Sequence, residues 1–437
     1  MALNPKTQSS LSRHTFWGVG LRFTGLALQL VTGIFAARVM GAQEFGAYVL
    51  AHTIVLLAGG AVHWGQGDLA LRVLPKASAK TARRLLWNSV MATATSVTLA
   101  VPALWAAELA GARLAPGWVL VGTLLALHGG CLTLAALLSA CDRVLWVQVI
   151  EAALRPAAML ALIGASALFD LSLDATLLFQ CGIAAAGLSF GLMAVCLTIT
   201  WKRRVPATGS SPLPRISQGF PLLATGWSSL FLSQLDHLVV GLVLGNTALG
   251  LYRVASRAAG LVGLVQQVAT QVLGPRLSHA LAAGKVSAAR GLTATSAQAA
   301  TAGGLGVAAI IMILSSPYLQ YLGPDYQQAK HLIPIMTLTQ ICALPFGSGA
   351  LVLILTRNES RLLKINCFAA IFGACTTAIA AHLFGLIGVS IALLALLPAH
   401  KARLRHVVLK TKGPDPAIEF PSWARTGSGK QRRLGRS

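Results

Sequence analysis

The chain has 437 residues, of which 55% are hydrophobic and 11% charged, with a mean hydropathy of +0.70. Soluble globular chains carry about a quarter charged residues, so this composition excludes a water-soluble fold. The formal net charge of +23 invites a nucleic-acid reading, but the basic residues sit in breaks between apolar runs, and nucleic acid is not expected as a partner. Runs such as 116–141, 175–201 and 291–316 exceed the ~20 residues needed to cross a ~30 Å hydrocarbon core.

Twelve spans are predicted in chain order. The first six lie near 16–38, 46–67, 85–107, 116–140, 145–169 and 175–201, and the second six near 219–244, 249–273, 291–316, 331–355, 362–382 and 385–400. Residues 1–14 are polar and lack the layered pattern of a cleaved signal, so the first span is expected to be retained. The expected organisation is an N-terminal six-helix bundle over 1–201, a linker at 202–218, a C-terminal six-helix bundle over 219–400 and a basic tail over 401–437. That tail, rich in Gly, Pro and Ser, reads as disordered or lying on anionic headgroups. No loop is long enough for a soluble domain.

Charge tests the span count independently. With the N-terminus in the cytoplasm and loops assigned alternately, 28 of the 35 Lys and Arg fall on the cytoplasmic side, three outside (Arg38, Arg113, Lys330) and four within spans (Arg22, Arg155, Arg253, Arg257). A positive-inside bias of this strength requires the alternation to be numbered correctly. Both termini are therefore expected in the cytoplasm. Trp17, Trp64, Trp87, Trp105, Trp118, Trp146 and Trp201 fall near span ends, where amphipathic rings suit the headgroup level, whereas Trp227 falls inside span 7.

The polar decapeptide VMGAQEFGAY (39–48) joins spans 1 and 2, and VLGNTALGLY (243–252) joins spans 7 and 8. Aligned without gaps over 39–51 and 243–255, the two share five of thirteen residues: Val, Gly, Gly, Tyr and Ala. A basic loop follows span 2 and another follows span 8. Each half has an even number of spans and starts on the same side, so the repeat is parallel. Its glycines suit tight turns.

Gly41, Phe45, Gly46 and Tyr48, set between a first span and a second span with a basic loop beyond, resemble the hairpin of polysaccharide-unit (Wzx-type) flippases. These belong to the multidrug/oligosaccharidyl-lipid/polysaccharide exporter superfamily. The second copy departs from the pattern with Leu249 where the first has Phe45. The resemblance implies an all-α integral membrane protein, with about twelve helices in two six-helix bundles around a central cavity. It also implies a non-enzymatic flippase that moves an undecaprenyl-diphosphate-linked oligosaccharide across the bacterial inner membrane by alternating access, alongside polysaccharide polymerase or export partners. In lipid II flippases of the same superfamily, cationic residues on the first and eighth spans line the cavity. The resemblance thereby singles out Arg22, Arg253 and Arg257 as the cationic substrate site.

The residues themselves fit that role. An ionisable side chain within a span costs ~2.5–3.5 kcal/mol at its centre on insertion scales, and a planar guanidinium fork suits a diphosphate. Arg253 and Arg257 stand one helical turn apart and share a face. The competing reading is interfacial snorkelling. Asp236, beside His237 in span 7, reads either as a proton or Na⁺ coupling site or as the neutralising partner of a span-8 arginine. Asp68 with Arg72, and Glu151 with Arg155 before Pro156, read as i,i+4 pairs, with Asp68 kept as a candidate for ion coupling or charge pairing. His128 reads as a packed side chain, and the pairs Gly187/Gly191 and Gly241/Gly245 as close-packing positions.

No cofactor or metal is expected. The seven cysteines form no C-x-x-C pair, no acidic cluster or H-E-x-x-H occurs, and GSGKQ at 427–431 lacks the P-loop spacing. Rival functions are a multidrug or cation-coupled extruder of the same fold, a polytopic polysaccharide polymerase or ligase, and a non-transporting scaffold. The extruder wants more buried acid than this chain offers, and the polymerase wants a large external loop.

Overall fold

A computed structural model describes residues 5–418 apart from 63, 75–76, 110–115, 170 and 203–214, and in the first helix it describes residues 5–19, 22 and 23 by backbone alone. Most of the expected linker therefore lies outside the described residues, as do the GSGKQ segment and the rest of the tail beyond 418. The described residues form helices and turns without a strand. In order they are α1 (Pro5–Val62), α2 (Gln66–Val73), α3 (Ala79–Leu109), α4 (Trp118–Ala140), α5 (Val144–Val147), a π-helical turn (Gln148–Leu154), α6 (Arg155–Leu168), α7 (Ala175–Lys202), α8 (Phe220–Leu244), α9 (Asn246–Ala282), α10 (Val286–Leu322), α11 (Leu332–Ala343), α12 (Gly349–Leu355) and α13 (Glu359–Lys410).

Among the described residues nine helices are long and apolar enough to cross a membrane, and α11 with α12 forms a tenth span broken at Gly347. Two of the nine are merged across a non-helical break. The apolar part of α1, Thr24–Val62, has 39 residues and α13 has 52; at 1.5 Å per residue both far exceed a bilayer. Each contains one non-helical glycine, Gly41 (φ 73°, ψ 173°) and Gly385 (φ 59°, ψ −146°). These are left-handed positions that glycine adopts without a Cβ penalty. Dividing α1 and α13 there brings the spans to twelve, as predicted. The last helix is longer than the sequence suggested, continuing past 400 to Lys410.

The chain groups into two units. The first comprises 1–254, 317–329 and 374–389; the second comprises 255–316, 330–373 and 390–437. In the first unit one apolar cluster joins α2, α3, α4 and α7 through Leu69, Leu85, Leu138 and Met193. A second joins α1, α4 and α7 through Val55, Val121, Phe179 and Ala186. Lipid tails are as apolar as leucine, so close packing and interhelical hydrogen bonds must hold such helices together. Thr93 and Thr133 share a 2.8 Å hydroxyl bond between α3 and α4, and the Cys131 thiol donates to the Ala186 carbonyl. Large apolar side chains such as Leu168, Phe384 and Leu99 are exposed, as a lipid-facing surface requires.

The second unit packs Leu277, Val352, Leu353, Leu404 and Val408 together, and Thr270 shares a 2.6 Å hydroxyl bond with Ser348 at the break after α11. Beyond α13 residues 411–418 fold back and pack, where a tail disordered or lying on headgroups was expected. Asp415 takes two bonds from Arg405, at 2.9 and 2.8 Å, and its carbonyl accepts from Thr293 Oγ1 at 2.7 Å. The Ile418 amide donates to the Pro345 carbonyl, and the Pro416 carbonyl occupies the place a Cβ on Gly347 would take. Burial opposes ionisation of Asp415, but the Arg405 bonds, the Ala417 amide and the charges of Arg405 and Arg290 outweigh it. The carboxyl is held below its ordinary range.

Candidate functional site

The two repeat copies meet in the first unit, and their glycines do two different jobs. Gly41 and Gly245, equivalent under the repeat, carry positive φ of 73° and 85° and end the helices before them. Gly46 and Gly250, also equivalent, are helical and form a crossing. A Cβ on Gly46 would overlap the Asn246 carbonyl, and a Cβ on Gly250 would overlap the Ala42 carbonyl. Ala42 and Asn246 are themselves the equivalent pair, so the contact is reciprocal about a local two-fold. The sequence reading identified the turn role and missed the crossing. The other polar residues of the first copy also have work: Glu44 accepts from the Ala175 amide at 3.3 Å, where a carboxylate suits the positive end of α7. Tyr48 packs edge-on against Phe179.

A second layer covers this corner. Tyr326, almost fully buried, donates to the Ala37 carbonyl at 2.9 Å, and Arg38 lies 4.1 Å above the Tyr321 ring.

The charged site grows out of the second copy. The turn at Gly245 folds α9 back along α8, which puts residues 236–237 opposite 252–253, about two helical turns from the corner. Asp236 Oδ2 accepts from the Tyr252 hydroxyl at 2.7 Å, and Asp236 Oδ1 lies 2.9 Å from His237 Nδ1. His237 Nε2 lies 3.0 Å from Arg253 Nη1. The His237 side chain is 7% exposed and that of Asp236 20%. A guanidinium has donors only, so Nε2 must accept. The ring proton then sits on Nδ1 and faces Asp236. The four groups form one ordered chain, from the Tyr252 hydroxyl through carboxylate and neutral imidazole to guanidinium.

His237 thus lies between Asp236 and Arg253, within bonding distance of both. Sequence reasoning did not single out Tyr252, although the repeat register offered a signal. Tyr48 and Tyr252 are equivalent, while Thr32, Gly33 and Val49 stand where the second copy has Asp236, His237 and Arg253. The charge is confined to one copy.

The other candidates are placed as follows. Arg257 lies one turn beyond Arg253 on α9 and is partly buried; Arg22 lies in α1, its side chain outside the described residues. Asp68 is exposed on α2, four residues before Arg72. Arg155 bonds Glu151 at 3.1 Å, as expected for an i,i+4 pair. His128 packs where a Cβ on Gly59 would stand, the packed role expected of it. Trp227, the tryptophan inside a span, donates from its indole nitrogen to the Leu57 carbonyl at 2.8 Å. Gly241 packs under Leu50, but Gly187, Gly191 and Gly245 have nothing within 4 Å of a would-be Cβ, which corrects the packing role expected for them. No group of three or more metal-binding side chains occurs among the described residues.

A family profile described as "Polysaccharide biosynthesis protein" matches residues 11–281, well over half the chain. The chain belongs to the polysaccharide biosynthesis protein family. Its resemblance to Wzx-type flippases of the exporter superfamily is supported by solved structures of the same fold. The lipid II flippase MurJ in an inward closed conformation aligns with a TM-score of 0.72 at 13% identity, covering 93% of this chain and 88% of that one. An inward-facing multidrug resistance MATE transporter of the MOP superfamily aligns with a TM-score of 0.68 at 16% identity, covering 88% and 96%. The MATE multidrug transporter DinF-BH aligns at 0.64 and 14% identity, covering 94% and 96%. No protein with a curated description matches the sequence. This family member is therefore a multi-pass membrane protein with the all-helical fold of those structures.

Proposed function

We propose that this protein translocates an undecaprenyl-diphosphate-linked oligosaccharide across the bacterial inner membrane by alternating access, with both termini cytoplasmic. In this reading Arg22, Arg253 and Arg257 meet the diphosphate. The observation that supports it best is an arginine kept inside a span, Arg253, in a chain of the polysaccharide biosynthesis family. Intramembrane charge is retained at a cost and marks a ligand path by default. The role is transport without bond chemistry, and a polymerase or export partner would take the delivered unit.

The cation extruder of the same fold fits less well. It needs a carboxylate open to a cation, and both oxygens of Asp236 already take bonds, from Tyr252 and His237.

The test is replacement of Arg22, Arg253 or Arg257 by Ala in the native host. Surface polysaccharide should fall at least several-fold while membrane-inserted protein stays at wild-type abundance. Normal export from all three variants would overturn the cationic site. Drug efflux in a sensitive strain without any glycan defect would replace the flippase reading with the extruder.

A further inference from the structure

We propose that span 2 carries both gates of the transport path. Its external end closes against Gly250, its cytoplasmic end closes against Gly219, and the two contacts open in turn. The inference rests on the flippase reading above, from which it takes alternating access, and deepens it.

Span 2, the part of α1 beyond Gly41, touches α8 and the turn after it from end to end within the first unit. The contacts pair Gly46 with Asn246, Leu50 with Gly241, Leu57 with Trp227 and Gly65 with Gly219, so the two segments run antiparallel. The external end is the reciprocal crossing of Gly46 and Gly250 described above. Near the middle, the Trp227 indole donates to the Leu57 carbonyl at 2.8 Å, and Leu230 fills the space beside Gly60. At the cytoplasmic end, in the proposed orientation, there is a second backbone crossing. A Cβ on Gly65 would overlap the Gly219 carbonyl, and a Cβ on Gly219 would overlap the Trp64 carbonyl. Trp64 has a φ of 49° and Gly65 one of 68°, and a bulky residue rarely takes that left-handed conformation. The strained pair turns the backbone out of span 2 and onto Gly219, with the Trp64 ring 5.3 Å from that of Phe220.

The ends of this seam differ in kind from its middle. Each end is glycine against a backbone carbonyl with no side chain between, so it parts and re-forms without a rotamer change. A shift of ~1 Å already forfeits much of such a contact. The middle is interlocked by a hydrogen bond and two large side chains, Trp227 and Leu230. Leu57 lies eleven residues from Gly46 and eight from Gly65, so the interlocked point stands between the crossings, roughly 16 and 12 Å from them along the helix. A helix held at its middle and lightly at both ends opens one end at a time by tilting, which alternating access requires. Strain such as that at Trp64 gathers where a segment switches. Gly250 precedes Arg253 on α9 by one turn, so the external crossing borders the proposed headgroup site.

The test reads which half of the seam opens, and to which side, with the full chain in membrane vesicles. Leu50→Cys reports on the external half. Leu223→Cys reports on the cytoplasmic half, since the Leu223 amide nitrogen lies 2.9 Å from where a Cβ on Gly65 would stand. Labelling by a membrane-impermeant maleimide is timed from each side, and labelling of the chain without the added cysteine is subtracted. Gly219 has a φ of −76° and Gly250 is helical, so alanine at either adds the clash without backbone strain. Gly219→Ala should speed labelling at position 223 from the cytoplasmic side about tenfold and slow labelling at position 50 from outside. Gly250→Ala should do the reverse. If either alanine variant fails to insert, Phe220→Ala should open the cytoplasmic side alone by removing the ring beside Trp64, and Tyr326→Phe the external side alone. Equal changes at both reporters, or none, overturn the gates and leave the flippase reading intact. One-sided opening with normal polysaccharide export upholds the gates and counts against the flippase reading instead.

Discussion

Alanine at Gly46 or Gly250 puts the reciprocal crossing to a direct test. Each new Cβ would overlap a backbone carbonyl, of Asn246 or Ala42 respectively. A side chain could rotate away from such a clash; a carbonyl inside a helix cannot, because it is held by its own i+4 amide. The two helices must then separate by about 1 Å or more for the C···O contact to reach van der Waals range. That displacement strips contacts from Phe45, Leu249 and Tyr252, all buried around the crossing. Overpacking of this kind costs ~1–3 kcal/mol, here toward the upper end because the obstacle is backbone. Since both methyl groups would enter one crossing, the double variant should cost less than the sum of the singles. Gly187→Ala is the control: nothing lies within 4 Å of its Cβ, and alanine is the better helix former by ~1 kcal/mol. The assay is heating in detergent followed by fluorescence-detected size exclusion. Gly46→Ala and Gly250→Ala should each lose several degrees while Gly187→Ala holds or gains. If both crossing variants melt with wild type, the two copies do not cross through these glycines.

Other consequences are smaller but separable. Tyr326→Phe leaves the Ala37 carbonyl without its donor and should cost ~1 kcal/mol, measured by the same thermal assay. Trp227→Phe removes the indole bond to the Leu57 carbonyl and should cost a similar ~1 kcal/mol, whereas Trp87, exposed in α3, should tolerate Phe. Asp415→Asn should speed tryptic cleavage after Lys412, because Arg405 loses its bidentate partner. A depressed carboxyl contributes fully above its unfolded-state range and is lost as pH falls through the folded-state value. Wild-type protection at Lys412 should therefore be flat from pH 6 to 8 and fall only below about pH 4.

The span count was legible because two independent signals agreed: apolar runs of bilayer length, and basic residues alternating across them. Where the structure merges helices, the non-helical backbone at Gly41 and Gly385 restores the prediction. The broken span at Leu344–Ser348 was not legible. A 3₁₀ turn and a left-handed Gly347 interrupt an apolar run without changing its hydropathy. The docked tail was missed for a related reason. GPDPAI reads as a loop by composition, and its packing depends on Thr293, Pro345 and Arg405, far away in sequence. At the charged site the sequence supplied Asp236, His237 and Arg253 but not their order, because an i,i+1 pair on one helix and two neighbours on the next allow several connections. The hairpin geometry selects one.

The repeat explains why that connection exists in one half only. Duplication gives both halves the same corner, a left-handed glycine followed by a helical one, and the crossing needs both to be retained. Away from the crossing the copies were free to diverge. At the three positions that hold Asp236, His237 and Arg253 in the second half, the first half has Thr32, Gly33 and Val49. Its equivalent tyrosine, Tyr48, packs against His52 and Phe179. A carboxylate introduced alone at such a depth would be an unpaired buried charge, costly by several kcal/mol. With the tyrosine already in place and a histidine and arginine within reach, the same carboxylate is bonded on both oxygens. The shared corner thus fixes the geometry in which a charged relay is tolerated, and the second copy is where the chain uses it.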